Sequence, residues 1–218
     1  IVEETGISDF PITVRIGKNT DERLIRRTAE VIRFGGGIAA VYNEDLIIES
    51  LIQMGYAKEE ASRFANDGCW EIQIPGKTNF SYVPFDALRV LQDITLNGYD
   101  ESVRFDSFEA VLKKFTADIG EQVKTIFENS VLSLFCDSSF HFKEFEPCTV
   151  VSLFEQSCVE KGLSYKEGGT VYTVVSPHIG GVPDAVNSLY AIKKAVYDDK
   201  LVTFENFMKI LKNNWDGE

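Results

Sequence analysis

The sequence predicts an α/β protein in which helices predominate. Four short apolar stretches have the composition of strands, and segments with helical spacing of apolar residues lie between them. Such alternation favours a parallel sheet covered by helices. Because no linker, low-complexity stretch or internal repeat divides the chain, we expect residues 1–218 to form a single segment. The predicted strands are Ile12–Ile16, Ile38–Tyr42, Cys69–Ile74 and Val171–Val175.

Helices are predicted where apolar residues recur every three or four positions, and we expect these stripes to form the core. The clearest helix begins at Asp106, whose side chain can cap it, and Glu109 follows three residues later as in a capping box. This helix is predicted to continue to about Ser133. The remaining predicted helices cover residues 21–34, 46–54, 58–65, 85–96, 149–161, 184–198 and 203–213.

The charge of the chain argues against a nucleic-acid partner, and its hydropathy argues against a membrane span. A formal net charge of -12 leaves no basic surface that could neutralise phosphates. No apolar run reaches the roughly 20 residues that span a bilayer, and the N-terminus has no basic stretch followed by an apolar core. We therefore expect a cytoplasmic protein.

The four cysteines are predicted to be reduced thiols. They form no CxxC pair, and only two histidines, His141 and His178, could join them as ligands, so no metal site is predicted. A disulfide framework is not expected of an acidic chain of this size without a secretion signal. The cysteines are Cys69, Cys136, Cys148 and Cys158.

Cys69 and Glu71 are the candidate catalytic residues. In an extended backbone, residues two positions apart project to the same side, so the thiol and the carboxyl group would face one space together with Gln73. The residues predicted on the opposite, interior face are Trp70, Ile72 and Ile74. The motif is short, and it has a second interpretation in which Cys69 is a packed apolar residue and Glu71 is solvated.

Short motifs in a characteristic order run through nearly the whole chain, and together they resemble the glycyl radical enzymes, the pyruvate formate-lyase-like family of dehydratases and lyases. The motifs are Pro11-Ile12-Thr13-Val14-Arg15-Ile16, Gly37-Ile38-Ala39-Ala40-Val41-Tyr42-Asn43, Gly55-Tyr56, Glu59-Glu60-Ala61, Gly68-Cys69-Trp70-Glu71, Pro75-Gly76-Lys77-Thr78, Ser157-Cys158-Val159-Glu160-Lys161-Gly162, Glu167-Gly168-Gly169, Asn187-Ser188-Leu189 and Ala191-Ile192-Lys193-Lys194.

The resemblance implies a fold and a mechanism. The chain would be a helix-rich portion of a ten-stranded α/β barrel, with the Gly-Cys-x-Glu loop at its centre. Cys69 would become a thiyl radical that removes a hydrogen atom from the substrate. Glu71 would act as a general base on a neighbouring hydroxyl and help to expel a leaving group.

The resemblance also implies a radical partner. The family stores its radical on a glycine in a C-terminal Arg-Val-x-Gly-aromatic loop, but here Arg89-Val90 is followed by Leu91 and Gln92. We therefore expect an internal segment that binds no cofactor, lacks the C-terminal glycyl radical domain and is inactive alone. The radical would be installed by a radical-SAM [4Fe-4S] activating enzyme in an anaerobic cell, and the full-length protein would be a homodimer.

Two departures from the family pattern bear on the substrate, a small organic molecule. Glycerol- and choline-acting members have a His-Asp pair where this chain has Tyr82-Val83-Pro84, which argues against those substrates. Formate-lyase members use adjacent cysteines for acyl transfer, whereas Cys69 lies between Gly68 and Trp70. A pyruvate formate-lyase-like acyltransferase is therefore an alternative that the sequence disfavours. The substrate and the bond that is cleaved stay open.

Other functions also remain open. The chain could be a non-catalytic scaffold or interaction domain derived from the same fold, which would keep the core stripes and have no use for a reactive thiol. It could also be a thiolate enzyme that pairs Cys69 with His178, although Asp67 and Glu71 would oppose thiolate formation. His178, predicted in a loop after a strand, is a candidate substrate contact, and His141 is predicted to be structural.

Overall fold

The computed structural model describes residues 4, 12–35, 39–68, 70–137, 141–143 and 148–216. The chain divides into two compact units, and each combines two separate stretches of sequence. The first unit contains residues 1–81 and 144–174, and the second contains residues 82–143 and 175–218. The expectation that all 218 residues belong to one catalytic domain stays a prediction.

The described elements confirm a mixed α/β chain rich in helices. The strands are β1 (Ile12–Ile16), β2 (Ala39–Asn43), β3 (Ala65–Asn66), β4 (Ile72–Gln73), β5 (Thr78–Asp86) and β6 (Tyr172–Gly180). The α-helices are α1 (Glu22–Ile32), α2 (Glu44–Gln53), α3 (Lys58–Ala61), α4 (Ala87–Arg89), α5 (Phe108–Leu134), α6 (Thr149–Phe154), α7 (Cys158–Lys161), α8 (Val182–Ile192) and α9 (Phe204–Lys212). Two π-helical segments, Val90–Thr95 and Lys193–Asp198, and a 3₁₀ turn, Tyr165–Glu167, complete the set.

The first unit contains a parallel strand pair, as the alternation of elements predicted. β1 and β2 run side by side, with Ile12 opposite Ala39 and Ile16 opposite Asn43. The helix α1 connects them, and the side chain of Asp21 caps its first turn. Asn43 at the end of β2 caps α2, so the chain turns directly from strand into helix.

The segment around Cys69 differs from the predicted strand. β3 and β4 form a short antiparallel hairpin, in which Ala65 pairs with Gln73 and Asn66 pairs with Ile72. The bounds of the predicted strand Cys69–Ile74 are therefore wrong, because β4 covers only Ile72–Gln73 and Trp70 and Glu71 lie in the chain reversal before it. The helix predicted over 58–65 ends at Ala61 for the same reason, since Ala65 already belongs to the hairpin.

Several other boundaries correct the sequence-based assignment. β5 was missed: its alternating burial lies in a polar and aromatic stretch, whose later residues were assigned to a helix. The predicted helix 149–161 is broken, because Ser157 adopts a left-handed backbone with φ 76° between α6 and α7. β5 and β6 are neighbours in a two-stranded sheet.

Each unit has its own apolar core, and the helical stripes supply much of it. In the first unit the buried cluster comprises Ala40, Tyr42, Leu51, Ala61, Phe64 and Ile74. In the second unit it comprises Leu91, Leu96, Val111, Leu189, Ile192, Val196, Phe204, Phe207 and Met208. No helix in the described part of the chain is both long and apolar enough to span a bilayer.

Candidate active site at the 65–73 hairpin

The sequence that joins β3 to β4 contains the candidate catalytic motif, and Glu71 lies at the tip of this hairpin. Beyond the two strand pairs, the backbone N–H of Asp67 donates to the carbonyl of Glu71 at 2.8 Å, which closes the tip. The side-chain amide of Asn66 donates to the Asp67 carbonyl at 2.6 Å. Cys69 lies outside the described residues, so its predicted role stays a prediction. The residues on both sides of it are held in a defined turn.

Trp70 departs most from the predicted strand. Its φ of 95° lies in the left-handed region, which is a genuine outlier for a bulky side chain. Such a conformation costs on the order of 1–3 kcal/mol and persists only where surrounding contacts impose it. Trp70 is 48% exposed, and its ring lies 5.9 Å from that of Tyr42. The predicted interior position of Trp70 is therefore wrong, because the reversal at this residue breaks the strand alternation.

Glu71 is buried, with 5% of its surface exposed. The interpretation of Glu71 as a solvated residue is therefore wrong. Burial, and after it the negative charge of Glu71, raises the pKa of the Tyr42 hydroxyl to about 12. The carboxyl group of Glu71 thus lies in a sheltered region of the first unit, close enough to Tyr42 for the two groups to interact. A sheltered carboxylate is suited to proton transfer, because surrounding water does not compete for the proton.

Thr13 of β1 holds the hairpin and Arg15 of β1 holds the segment just before it, and the sequence analysis assigned neither residue a role. The hydroxyl of Thr13 donates to the side-chain oxygen of Asn66 and accepts from the Asn66 backbone N–H at 3.4 Å. Arg15 donates to the Ser62 carbonyl at 2.9 Å, and its guanidinium lies 4.2 Å above the ring of Phe64. Thr13 and Arg15 are polar residues two positions apart in an apolar strand, and this spacing was the available signal.

The Pro75–Thr78 segment after the hairpin is held by structural contacts. Thr78 is 2% exposed, and its hydroxyl donates to the Ile74 carbonyl at 3.0 Å. Lys77 forms an ion pair with Glu60, which also accepts a hydrogen bond from the Tyr172 hydroxyl. These contacts hold the end of the hairpin against the core of the first unit.

Cys158 is a buried thiol with a structural environment. Burial, and then the charge of Glu155, raises the pKa of the Cys158 thiol, and Lys161 opposes this effect. A raised pKa keeps the sulfur protonated and therefore weakly nucleophilic. The sulfur packs against Gly169, where an added Cβ would lie 2.8 Å from it. None of Cys136, Cys148 and Cys158 forms a disulfide with another described residue.

His178 belongs to β6 and therefore does not lie in a loop, as the sequence had predicted. The strand extends past Val175 to Gly180, and β5 is its neighbour in the sheet. In the second unit, its ring meets that of Tyr82 edge-on at 5.8 Å, and it lines a cavity of about 570 Å³. The polar residues of this cavity include Asp86, Arg89, Asp93 and Gln122.

Comparisons with known proteins define the class. Residues 3–218 match the family model described as pyruvate formate lyase-like. The chain therefore belongs to this family of glycyl radical enzymes, as the resemblance implied. The matched range includes the 65–73 hairpin and the Gly68-Cys69-Trp70-Glu71 sequence.

Particular relatives are dehydratases of much greater length. Trans-4-hydroxy-L-proline dehydratase from Clostridioides difficile is 26% identical over 231 residues, covering 100% of this chain and 28% of that protein. (2S)-3-sulfopropanediol dehydratase from Klebsiella oxytoca is 28% identical over 223 residues, covering 94% of this chain and 26% of that protein. The chain therefore spans about a quarter of the length of these curated relatives.

A solved structure shows that the fold is shared. The crystal structure of hydroxyproline dehydratase from Clostridioides difficile, with trans-4-hydroxy-L-proline bound, superposes with a TM-score of 0.72 at 25% identity. The alignment covers 99% of this chain and 28% of that one. The mixed α/β architecture is therefore that of glycyl radical enzymes. Closure of a ten-stranded barrel stays a prediction, since the described residues form three two-stranded sheets.

Proposed function

We propose that this chain is the catalytic-cysteine segment of a glycyl radical enzyme that dehydrates a small organic substrate or lyses a C–X bond in it. Cys69 carries the thiyl radical and Glu71 is the general base. The observation that carries the proposal is the burial of Glu71, two positions after Cys69 in the sequence, in a chain of this family.

On a diol-like substrate, dehydration combines two hydrogen-atom transfers at Cys69 with two proton transfers at Glu71. The thiyl radical of Cys69 takes a hydrogen atom from a carbon that bears a hydroxyl, giving the thiol and a carbon radical. Glu71 takes the hydroxyl proton while the C–O bond on the adjacent carbon breaks. The leaving hydroxide accepts that proton and departs as water. The remaining carbonyl-stabilised radical takes the hydrogen atom back from Cys69, which restores the thiyl radical and releases the carbonyl product.

The burial of Glu71 suits both of its proton transfers. A carboxylate next to apolar and aromatic side chains exchanges its proton with the substrate and the leaving group more readily than with bulk water. Shelter also protects the radical intermediates from quenching, which is the main task of the protein in radical chemistry. Tyr42, Phe64 and Ile74, in the core of the first unit, supply apolar surroundings on the hairpin side.

The proposal includes partners and a setting. The thiyl radical is generated by a glycyl radical that is stored elsewhere than at Arg89-Val90. A radical-SAM [4Fe-4S] activating enzyme installs the glycyl radical, and the isolated chain is inactive. The full-length enzyme is a homodimer in the cytoplasm of an anaerobic cell. His178 is proposed as a substrate contact, because it lines a cavity with polar side chains in the second unit.

The test uses the full-length enzyme, activated anaerobically and offered trans-4-hydroxy-L-proline, (2S)-3-sulfopropanediol, isethionate, 1,2-propanediol and glycerol. Cys69→Ala is expected to abolish turnover while the glycyl radical signal in electron paramagnetic resonance persists, because the radical is stored elsewhere. Cys136→Ala is the matched control, since this thiol is exposed, and it should retain turnover.

Turnover by Cys69→Ala at the unmodified rate would reject the radical role of this cysteine. Failure of the fully radical-loaded enzyme to convert any of the five compounds would reject the proposed dehydratase or lyase activity. The identity of the compound that is converted tests the prediction made from Tyr82-Val83-Pro84, which is that glycerol is disfavoured as a substrate.

A further inference from the structure

The ring of Tyr42 belongs to the apolar surroundings of the hairpin, but its hydroxyl is a buried polar group with no role in the mechanism proposed above. Tyr42 lies in β2 with 7% of its surface exposed. Its hydroxyl oxygen is buried and makes no hydrogen bond to any described residue. A buried hydroxyl without a partner costs stability, and phenylalanine would avoid that cost at the same volume. Because phenylalanine would be more stable here, we infer that the hydroxyl of Tyr42 has a function.

The position of Tyr42 places it beside the hairpin tip. Its ring packs against Trp70 at 5.9 Å and against Phe64, edge-on, at 6.1 Å. It is opposite Arg15 in the β1–β2 register, and Arg15 holds the Ser62 carbonyl just before β3. Tyr42 thus touches the residue that immediately precedes Glu71 and shares the scaffold that fixes the hairpin.

The Tyr42 hydroxyl and the Glu71 carboxylate are suited to act as the donor and the acceptor of one hydrogen bond. With a pKa of about 12, the Tyr42 hydroxyl keeps its proton at any pH at which the enzyme would work. Glu71 is the charged group that, after burial, contributes to that shift. A neutral hydroxyl can donate only where an acceptor is near, and a carboxylate is the strongest acceptor among side chains.

We propose that Tyr42 is a positioning residue whose hydroxyl donates a hydrogen bond to the Glu71 carboxylate and orients it for proton transfer during turnover. This inference rests on the proposed function. Tyr42 does not touch the reacting atoms. It acts through Glu71, in the way that a fixed neighbour orients a catalytic base and limits its movement.

The test compares Tyr42→Phe, Glu71→Gln and the double variant in the activated full-length enzyme, with whichever of the five compounds it converts. Tyr42→Phe is expected to lower kcat about 10- to 100-fold with KM and the glycyl radical signal unchanged, the size expected for a hydrogen bond to a charged group. In the Glu71→Gln background, the same change should lower kcat less than about twofold, because its partner is gone.

Tyr56→Phe is the matched control. Tyr56 packs against the same core, and burial alone raises the pKa of its hydroxyl, without a carboxylate contribution. Its kcat should stay within about twofold of the unmodified enzyme. A comparable loss in this control would show that any buried tyrosine hydroxyl of the first unit matters, and it would overturn the inference.

The kinetic results distinguish a failure of the base role of Glu71 from a failure of the positioning role of Tyr42. An unchanged kcat in Glu71→Gln would reject the base role in the proposed function. A large loss in Glu71→Gln together with an unchanged kcat in Tyr42→Phe would leave that function standing and overturn the role of Tyr42. Full multiplication of the two single losses in the double variant would also overturn it, as would a Tyr42→Phe protein that fails to fold.

Discussion

Gly169 illustrates how a single residue in the first unit is fixed by its neighbours. An added Cβ would lie 2.3 Å from the Leu163 carbonyl oxygen and 2.8 Å from the Cys158 sulfur. Two of the three nearest atoms are backbone oxygens, which cannot rotate away as the end of a flexible side chain can. Close packing therefore requires glycine at position 169, just after the 3₁₀ turn Tyr165–Glu167.

Gly169→Ala is expected to lower the free energy of unfolding by about 3 kcal/mol or more, because backbone must move to admit the methyl group. Gly120→Ala is the matched control: an added Cβ there meets nothing within 4 Å in the middle of α5. It should raise stability by about 0.5–1 kcal/mol. Chemical denaturation measures both, and equal effects would contradict the packing account.

His141 has an electrostatic partner on the surface. Its ring nitrogen Nδ1 lies 2.9 Å from a carboxyl oxygen of Asp137, which raises the pKa of His141 above its ordinary value of about 6.5. The pair therefore contributes stability that is fully present below that ordinary value and is lost as the pH rises through the raised pKa. This contact is consistent with the predicted structural role.

Asp137→Asn is expected to bring the pKa of His141 back towards its ordinary value, because both the ionic and the charged hydrogen-bond contributions are removed. A titration of the His141 imidazole followed by nuclear magnetic resonance measures this change in the variant and in the unmodified protein. An unchanged titration of His141 would show that Asp137 does not control it.

At the scale of elements, the start of α5 shows how a correct helix can have the wrong cap. The sequence predicted Asp106 as the capping residue. In the structure Ser107 has the extended backbone of an N-cap, and its hydroxyl accepts from the Ala110 N–H at 3.2 Å. Adjacent Asp and Ser residues both suit the role, so the sequence did not separate them. The packing of Val111 against the core sets the register of the helix.

Ser107→Ala is expected to lower the free energy of unfolding by about 1 kcal/mol, since it leaves a backbone donor of the first turn unsatisfied. Asp106→Ala should cost only a few tenths of a kcal/mol, because its side chain is outside the cap. Thermal unfolding of the two variants distinguishes them. A larger loss from Asp106→Ala would restore the original assignment.

The hairpin shows the same limit at the active site. Alternation along residues 69–74 predicted one strand with two faces, whereas the left-handed backbone of Trp70 breaks that alternation. Glu71 is buried at the tip, and its predicted sharing of one space with Cys69 stays a prediction because Cys69 lies outside the described residues. Glu71 is buried by its neighbours in the first unit, and the periodicity of a strand does not predict those neighbours.

At the scale of the whole molecule, many large apolar side chains are exposed. Phe34, Met54, Phe154 and Leu201 each have more than 70% of their surface accessible. Extensive apolar surface marks sites of interaction with other polypeptide. Together with relatives of which this chain spans about a quarter, this exposure supports the proposal that the segment works within a larger catalytic domain.

The sequence by itself determined the class, the strand β1, most helices and the Cys69–Glu71 motif, because these follow from order along the chain and from spacings of two to four residues. Only the tertiary structure decided the strand β5, the turn at Trp70, the burial of Glu71 and the placement of Tyr42 beside it. These depend on contacts between distant residues, such as Thr13 with Asn66, 53 positions apart. Local periodicity carries no information about which distant side chain will cover a given face.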